Sequence, residues 1–206
     1  MCSAATAQVL QHATAGLHLR TAQAVNAYVA WAQSRWVDSK LHGIHPELAS
    51  QVVMAMGLAG ETGEVVEALE DWLLTGIRDE QNVKKELGDA FYYWASLVHA
   101  FKLDGGQMFL GATLTEATCP SKAYAVTAIL QLASAQGKVL EATKKYIRDG
   151  AMDKTRLEAG MLAFVRAWRV VCTTQGFDWL DVLKYNQEKV ESLLARGTLR
   201  GSGNDR

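Results

Sequence analysis

The sequence predicts an all-α protein, a helical bundle built from two diverged tandem copies of one unit. Three observations carry that expectation. Apolar residues recur at three- and four-residue steps through most of the 206 residues, the spacing that lines one face of an α-helix. No alternating run of β-branched residues is bounded by turn dipeptides, as strands would require. A stretch of 19 residues near the centre repeats at a shift of 74.

The elements follow in order. The N-terminal segment has no basic start followed by an apolar run, so no signal peptide is expected. Val25–Trp36 is the first stretch with helical periodicity. His42 and His45 flank Gly43 and Ile44 in a loop. With no cysteine or third histidine nearby, they read as surface rather than metal ligands. Pro46 suits the first turn of a helix over Leu48–Leu74, and Gly76 suits its stop. Val83–Phe101 is the next helix. Gly105 and Gly106 open a connection that Pro120 closes. Ala123–Ile147, Leu157–Val171 and Trp179–Leu194 complete the set, with Gly150 as a second stop.

The repeat sets Leu58–Gly76 against Leu132–Gly150. Seven of the 19 positions are identical, Gly63/Gly137 and Gly76/Gly150 among them, where chance would give roughly one or two. Two helices that merely share a core pattern would not share glycines. The register continues to Trp94/Trp168 and Asp104/Asp178. The expected units are 1–119 and 120–206.

Bulk properties narrow the function classes. With 49% hydrophobic residues the chain can bury a core of its own. Its 21 basic and 22 acidic residues give no global field for a nucleic acid. Cys2, Cys119 and Cys172 form neither a disulfide framework nor a metal spacing, so a reducing cytoplasm is the expected compartment. No apolar run is long enough to span a membrane.

Four acids stand out: Glu61 and Glu64 in GLAGETGEVVE, and Glu86 and Asp89 in KKELGDAFYYW. Each pair is spaced i, i+3, which puts both side chains on one helix face. Two such helices side by side would gather four like charges, and these would repel without a cation. Carboxylate oxygens in that number suit Mg²⁺. One such pair alone is common on solvated helices. The flanking Gly57, Gly60, Gly63 and Gly88 add weight. Glycine inside a helix costs about 0.5–1 kcal/mol relative to alanine, which is easier to accept where another helix or a ligand comes close.

GLAGETGEVVE and ELGDAFYYW, with 21 residues between Glu64 and Glu86, resemble the E-x-x-E … E-x-x-D signature of the MazG-like pyrophosphohydrolases, relatives of the dimeric dUTPases and dCTP-cleaving enzymes. The resemblance covers roughly residues 48–104. It implies an all-α bundle that hydrolyses a nucleoside triphosphate to monophosphate and pyrophosphate. It also implies Mg²⁺ held by Glu61, Glu64, Glu86 and Asp89, with Glu61 orienting or deprotonating the attacking water. A homodimer is compatible with it.

The second copy reads differently. Ala135 and Lys138 stand opposite Glu61 and Glu64, and Gly160 and Ala163 (or Ala159 and Leu162 if the register slips by one) opposite Glu86 and Asp89, so no metal is expected there. Glu141, alone opposite Glu67, reads as a surface residue. The C-terminal end, Asn186-Gln-Glu-Lys189 and then ARGTLRGSGNDR, resembles the N-x-x-K-L … R-G … G-S-G-D-N-R tail of phage-type members. Val190 replaces the leucine, and Asn204-Asp205 is inverted. The implied reading is one composite site: acids from the first copy, and Asn186, Lys189, Arg196, Arg200 and Arg206 from the second meeting the phosphates. Trp31, Gln33 and Trp36 are further substrate candidates, because in related enzymes the helix before the first acidic pair helps hold the base. The rival expectation is a non-catalytic nucleotide-binding or helical interaction module, since half of the repeated unit has lost its acids.

Overall fold

The computed structural model describes residues 4–38, 43–112 and 122–198. Among them every regular element is an α-helix: α1 Ala4–Arg35, α2 Pro46–Thr75, α3 Glu80–Ala100, α4 Gly105–Gly111, α5 Lys122–Asp149, α6 Lys154–Thr174 and α7 Trp179–Ala195. None is long and apolar enough to cross a membrane.

Two of these differ from the sequence expectation. Helix α1 begins far before Val25. Leu17 and Leu19 there are exposed, so the early turns have no apolar stripe for periodicity to reveal. Helix α4 replaces the start of the expected connection at Gly105 and Gly106. Asp104 caps it by accepting from the Gln107 N–H at 3.0 Å. A Cβ on Gly106 would lie 2.8 Å from the Ala22 carbonyl of α1. The glycine pair is thus a contact surface for α1, not a flexible opening.

The helix stops and starts follow local chemistry. Pro46 occupies the first turn of α2, and Gly76 ends it at φ +77, its N–H bonded to the Trp72 carbonyl. Asp79 then caps α3 by accepting from the Asn82 N–H at 3.0 Å. The same sequence of events recurs 74 residues later. Gly150 is left-handed at φ +71, Asp153 accepts from the Arg156 N–H, and α6 has the 21 residues of α3. Asp178 caps α7 as Asp104 caps α4.

Helices α2 and α3 pair as a hairpin, as do α5 and α6. Helix α2 lies on α5 and α3 on α6, while α1 crosses α3 and α4, and α7 lies on α3. At the centre the Trp94 indole donates to the Met161 carbonyl at 3.0 Å, and the Trp168 indole to the Leu87 carbonyl at 2.9 Å. The two bonds are images of each other under the same shift. Phe91 fills the space between these indoles, Tyr28 and Phe109. Each such side chain, fully buried, stabilises the fold by about 1.5–3 kcal/mol. This core packs α1, α3, α4 and α6 around Phe91, and the polar groups described next stand within α1, α2, α3 and α7.

Candidate metal and nucleotide site

Helix α3 presents Glu86 and Asp89 on one face, and α2 brings Glu61 to them. One carboxylate oxygen from each of Glu61, Glu86 and Asp89 falls within 4.8 Å of the others. Glu64 lies outside this tight group and is exposed. Its charge still contributes to raising both Glu61 and Glu86.

The electrostatics show what this crowding costs. Burial, followed by the charges of Asp89, Glu64 and Glu86, pushes the Glu61 carboxyl up to about 8, with Lys189 opposing. Glu86 is also raised, by burial first. Its Oε1 pairs with Lys85 Nζ at 2.7 Å. Burial would lower the Lys85 ammonium, but its bond to Glu86 and the surrounding carboxylates raise it. Glu86 Oε2 is buried and has no hydrogen-bond partner among the described residues. A buried carboxylate oxygen left unpaired is expensive. An acceptor-only oxygen, aligned with two further carboxylates, fits a hard divalent cation.

Helix α7 closes the other side. Asp89 Oδ1 accepts from Asn186 Nδ2 at 2.7 Å, and Asp89 Oδ2 pairs with the Lys189 ammonium. Asn186 is fully buried, and its Oδ1 accepts from the Tyr28 hydroxyl at 2.6 Å. Both ends of the amide are therefore engaged within the protein. Burial, then the charges of Asp89 and Tyr92, hold the Tyr28 hydroxyl well above its ordinary value, so it is a proton donor.

The glycines divide into two kinds. A Cβ on Gly88 would sit 2.8 Å from Asn186 Cβ, and one on Gly57 would sit 2.1 Å from the Tyr93 ring. These two allow α7 and an aromatic ring to approach. A Cβ on Gly60 or Gly63 would meet nothing within 4 Å among the described residues, and both are exposed beside Glu61. The helix surface there is open.

One turn along α3 from Asp89 stand Tyr92 and Tyr93. Trp36 stacks on Tyr92 at 6.4 Å and meets Tyr93 edge-on at 6.1 Å. Among the described residues, Trp36 Nε1 and Gln33 Oε1 are buried without partners. Trp31 is committed: its Nε1 donates to Glu191 at 2.8 Å, and Arg35 shares that carboxylate. Arg196 forms the C-cap of α7, with Nε 3.4 Å from the Ser192 carbonyl. His42, Arg200 and Arg206 lie outside the described residues.

At the matching place in the second half, a Cβ on Gly160 would meet Val139 at 3.2 Å, and Ala135 is buried. Glu141 pairs with Lys144 and Lys145 of its own helix. The sequence singled out Glu61, Glu86, Asp89 and Lys189, and the fold brings them together. It did not single out Tyr28 or Lys85. Lys85 adjoins the second acidic pair and could have been noticed. Tyr28 gave only the signal of a shared face with Trp31, three residues on.

No curated protein and no solved structure matches the chain. Residues 50–109 match the family model of the MazG nucleotide pyrophosphohydrolase domain. All four acids lie inside that segment, and α5, α6 and α7 lie outside it. Residues 50–109 are thus similar to the MazG nucleotide pyrophosphohydrolase domain, which together with the all-helical fold supports the all-α MazG-like superfamily.

Proposed function

We propose that the protein hydrolyses a (deoxy)nucleoside triphosphate to monophosphate and pyrophosphate in a Mg²⁺-dependent reaction that serves nucleotide-pool control. The observation that carries this reading is the buried, unpartnered oxygen of Glu86 beside Glu61 and Asp89, inside a MazG domain. Glu61, Glu64, Glu86 and Asp89 would hold the metal. When bound, Mg²⁺ supplies charge neutralisation for the phosphates and acidifies a water.

The chain's own residues do the rest. Glu61 takes the proton of the attacking water. As the water oxygen bonds to the α-phosphorus, the bond from that phosphorus to the bridging oxygen breaks, and pyrophosphate leaves with the electron pair. Lys189 brings a positive charge to the edge of the acidic group, within reach of a phosphate oxygen. Arg196, Arg200 and Arg206 extend that charge along the C-terminal segment. Trp36 and Gln33, with an unpaired donor and an unpaired acceptor, hold the base against the Tyr92 and Tyr93 wall, and Trp31 supports them.

The site is composite in this reading. Residues 1–119 supply the acids and the aromatic wall, and 120–206, a diverged second copy, supplies α7. The matching helix boundaries, caps and reciprocal indole bonds at a shift of 74 support the duplication.

The test is product identification. Purified protein incubated with a panel of triphosphates and Mg²⁺ should release monophosphate and pyrophosphate in equal amounts. Diphosphate and free phosphate as main products would overturn the assignment.

A further inference from the structure

We infer that Tyr28 is a positioning residue of the metal site: its hydroxyl fixes the Asn186 amide, and that amide fixes the carboxylate of Asp89. The inference rests on the proposed metal-binding reading of Asp89 and adds a residue to it that lies outside the acidic motif.

The geometry runs across three helices. Tyr28 is on α1, Asn186 on α7 and Asp89 on α3. Tyr28 is 158 residues from Asn186 in the chain, so only the fold makes the relay. The Tyr28 ring is held edge-on against Phe91 at 5.3 Å and tilted on Trp31 at 5.1 Å, which leaves the hydroxyl little freedom. It donates to Asn186 Oδ1 at 2.6 Å, and Asn186 Nδ2 donates to Asp89 Oδ1 at 2.7 Å.

An asparagine side chain has a donor end and an acceptor end of nearly equal shape. Only the donor end is favourable against a carboxylate. The hydroxyl hydrogen bond occupies the acceptor end and commits the donor end to Asp89. With Oδ1 of Asp89 so held, the carboxylate plane is set, and Oδ2 pairs with Lys189. Gly88 makes the arrangement possible, because any side chain there would displace Asn186. Groups that hydrogen-bond to metal-ligating carboxylates orient them and tune affinity.

A tie between α1 and α7 that served folding alone would have the same hydrogen bonds, so the test must separate the two. The probe is Mn²⁺, its binding to the full chain followed by electron paramagnetic resonance without nucleotide, alongside thermal melts in chelator. Tyr28→Phe keeps the ring and removes one oxygen. It should weaken Mn²⁺ binding by ~10-fold and leave the nucleotide KM nearly unchanged once metal is saturating. Asn186→Leu alone leaves the buried Tyr28 hydroxyl without its acceptor, so the melting temperature of the double variant Tyr28→Phe/Asn186→Leu should recover relative to Asn186→Leu. Its Mn²⁺ affinity should stay low and equal that of Asn186→Leu alone. Wild-type Mn²⁺ affinity in Tyr28→Phe, or additive losses in the double variant, would overturn the relay. If wild type and Glu86→Gln both fail to bind Mn²⁺, the metal assignment itself falls and takes the relay with it.

Discussion

Replacing Glu61 by glutamine should make the metal-free protein more stable, and increasingly so as pH rises. The native Glu61 carboxyl titrates near pH 8, against an ordinary value of 4.5. A group raised in the folded state contributes stability that is fully present below about pH 4.5. That stability is lost as pH climbs through about 8, because the native state must then ionise beside Asp89, Glu64 and Glu86. At about 1.4 kcal/mol per tenfold, the full rise corresponds to at most ~5 kcal/mol. Residual solvent contact screens part of it, which leaves about 2–4 kcal/mol. For a chain of this size that is on the order of 5–10 °C in melting temperature. Glutamine does not titrate, so any fixed cost of the amide is constant across pH. The assay is thermal unfolding in chelator at pH 5, 7 and 9 for wild type and Glu61→Gln. The variant's melting temperature relative to wild type should grow from pH 5 to pH 9. Added Mg²⁺ should then raise wild type more than the variant, since binding only to the native state stabilises it by mass action. A difference that stays constant with pH, or one that favours wild type at pH 9, would show that these carboxylates do not crowd one another.

Other substitutions test separate parts of the site. Glu64→Gln, Glu86→Gln and Asp89→Asn should each remove most triphosphate hydrolysis while circular dichroism shows helix content unchanged; activity retained in all three would remove these acids from the proposed chemistry. Gly88→Ala should lose about 1–3 kcal/mol of stability, because its methyl must displace Asn186, whereas Gly60→Ala, with open space around it, should hold or gain by denaturant titration. Truncation after Thr198 keeps the left-handed Gly197 that ends α7 and should leave the melting temperature nearly unchanged, but lower kcat/KM by ~10-fold or more; full activity would remove the basic segment from the proposed site.

The all-α class, most helix boundaries and the acidic motif were legible in the sequence because each is a local property. Periodicity reports the apolar stripe of a helix that will be buried, and i, i+3 spacing places two carboxylates on one face wherever that helix goes. Left-handed glycines and aspartate caps announce helix ends without reference to the rest of the fold, which is why Gly76 and Gly150 read correctly. The early turns of α1 and the whole of α4 were not legible, for opposite reasons. The first buries no described stripe. The second is a short helix defined by what its glycines touch. Glycine spacing alone also could not separate Gly57 and Gly88, which admit Tyr93 and Asn186, from Gly60 and Gly63, which face open space.

The sequence by itself thus determined which chemistry the chain can offer: helices, four carboxylates, an amide and a lysine one turn apart on the last helix. Only the tertiary structure decided which of these meet. It drew Glu61, Glu86 and Asp89 together and left Glu64 at the edge, and it buried Asn186 with both ends of its amide engaged. It also recruited Tyr28, which carries no motif at all. The physical reason is that hydrogen bonding and charge pairing act over a few ångströms, while the residues concerned lie about 100 and 158 positions apart. Their approach is set by how the aromatic core around Phe91 orients α1, α3 and α7, and no spacing along the chain encodes that.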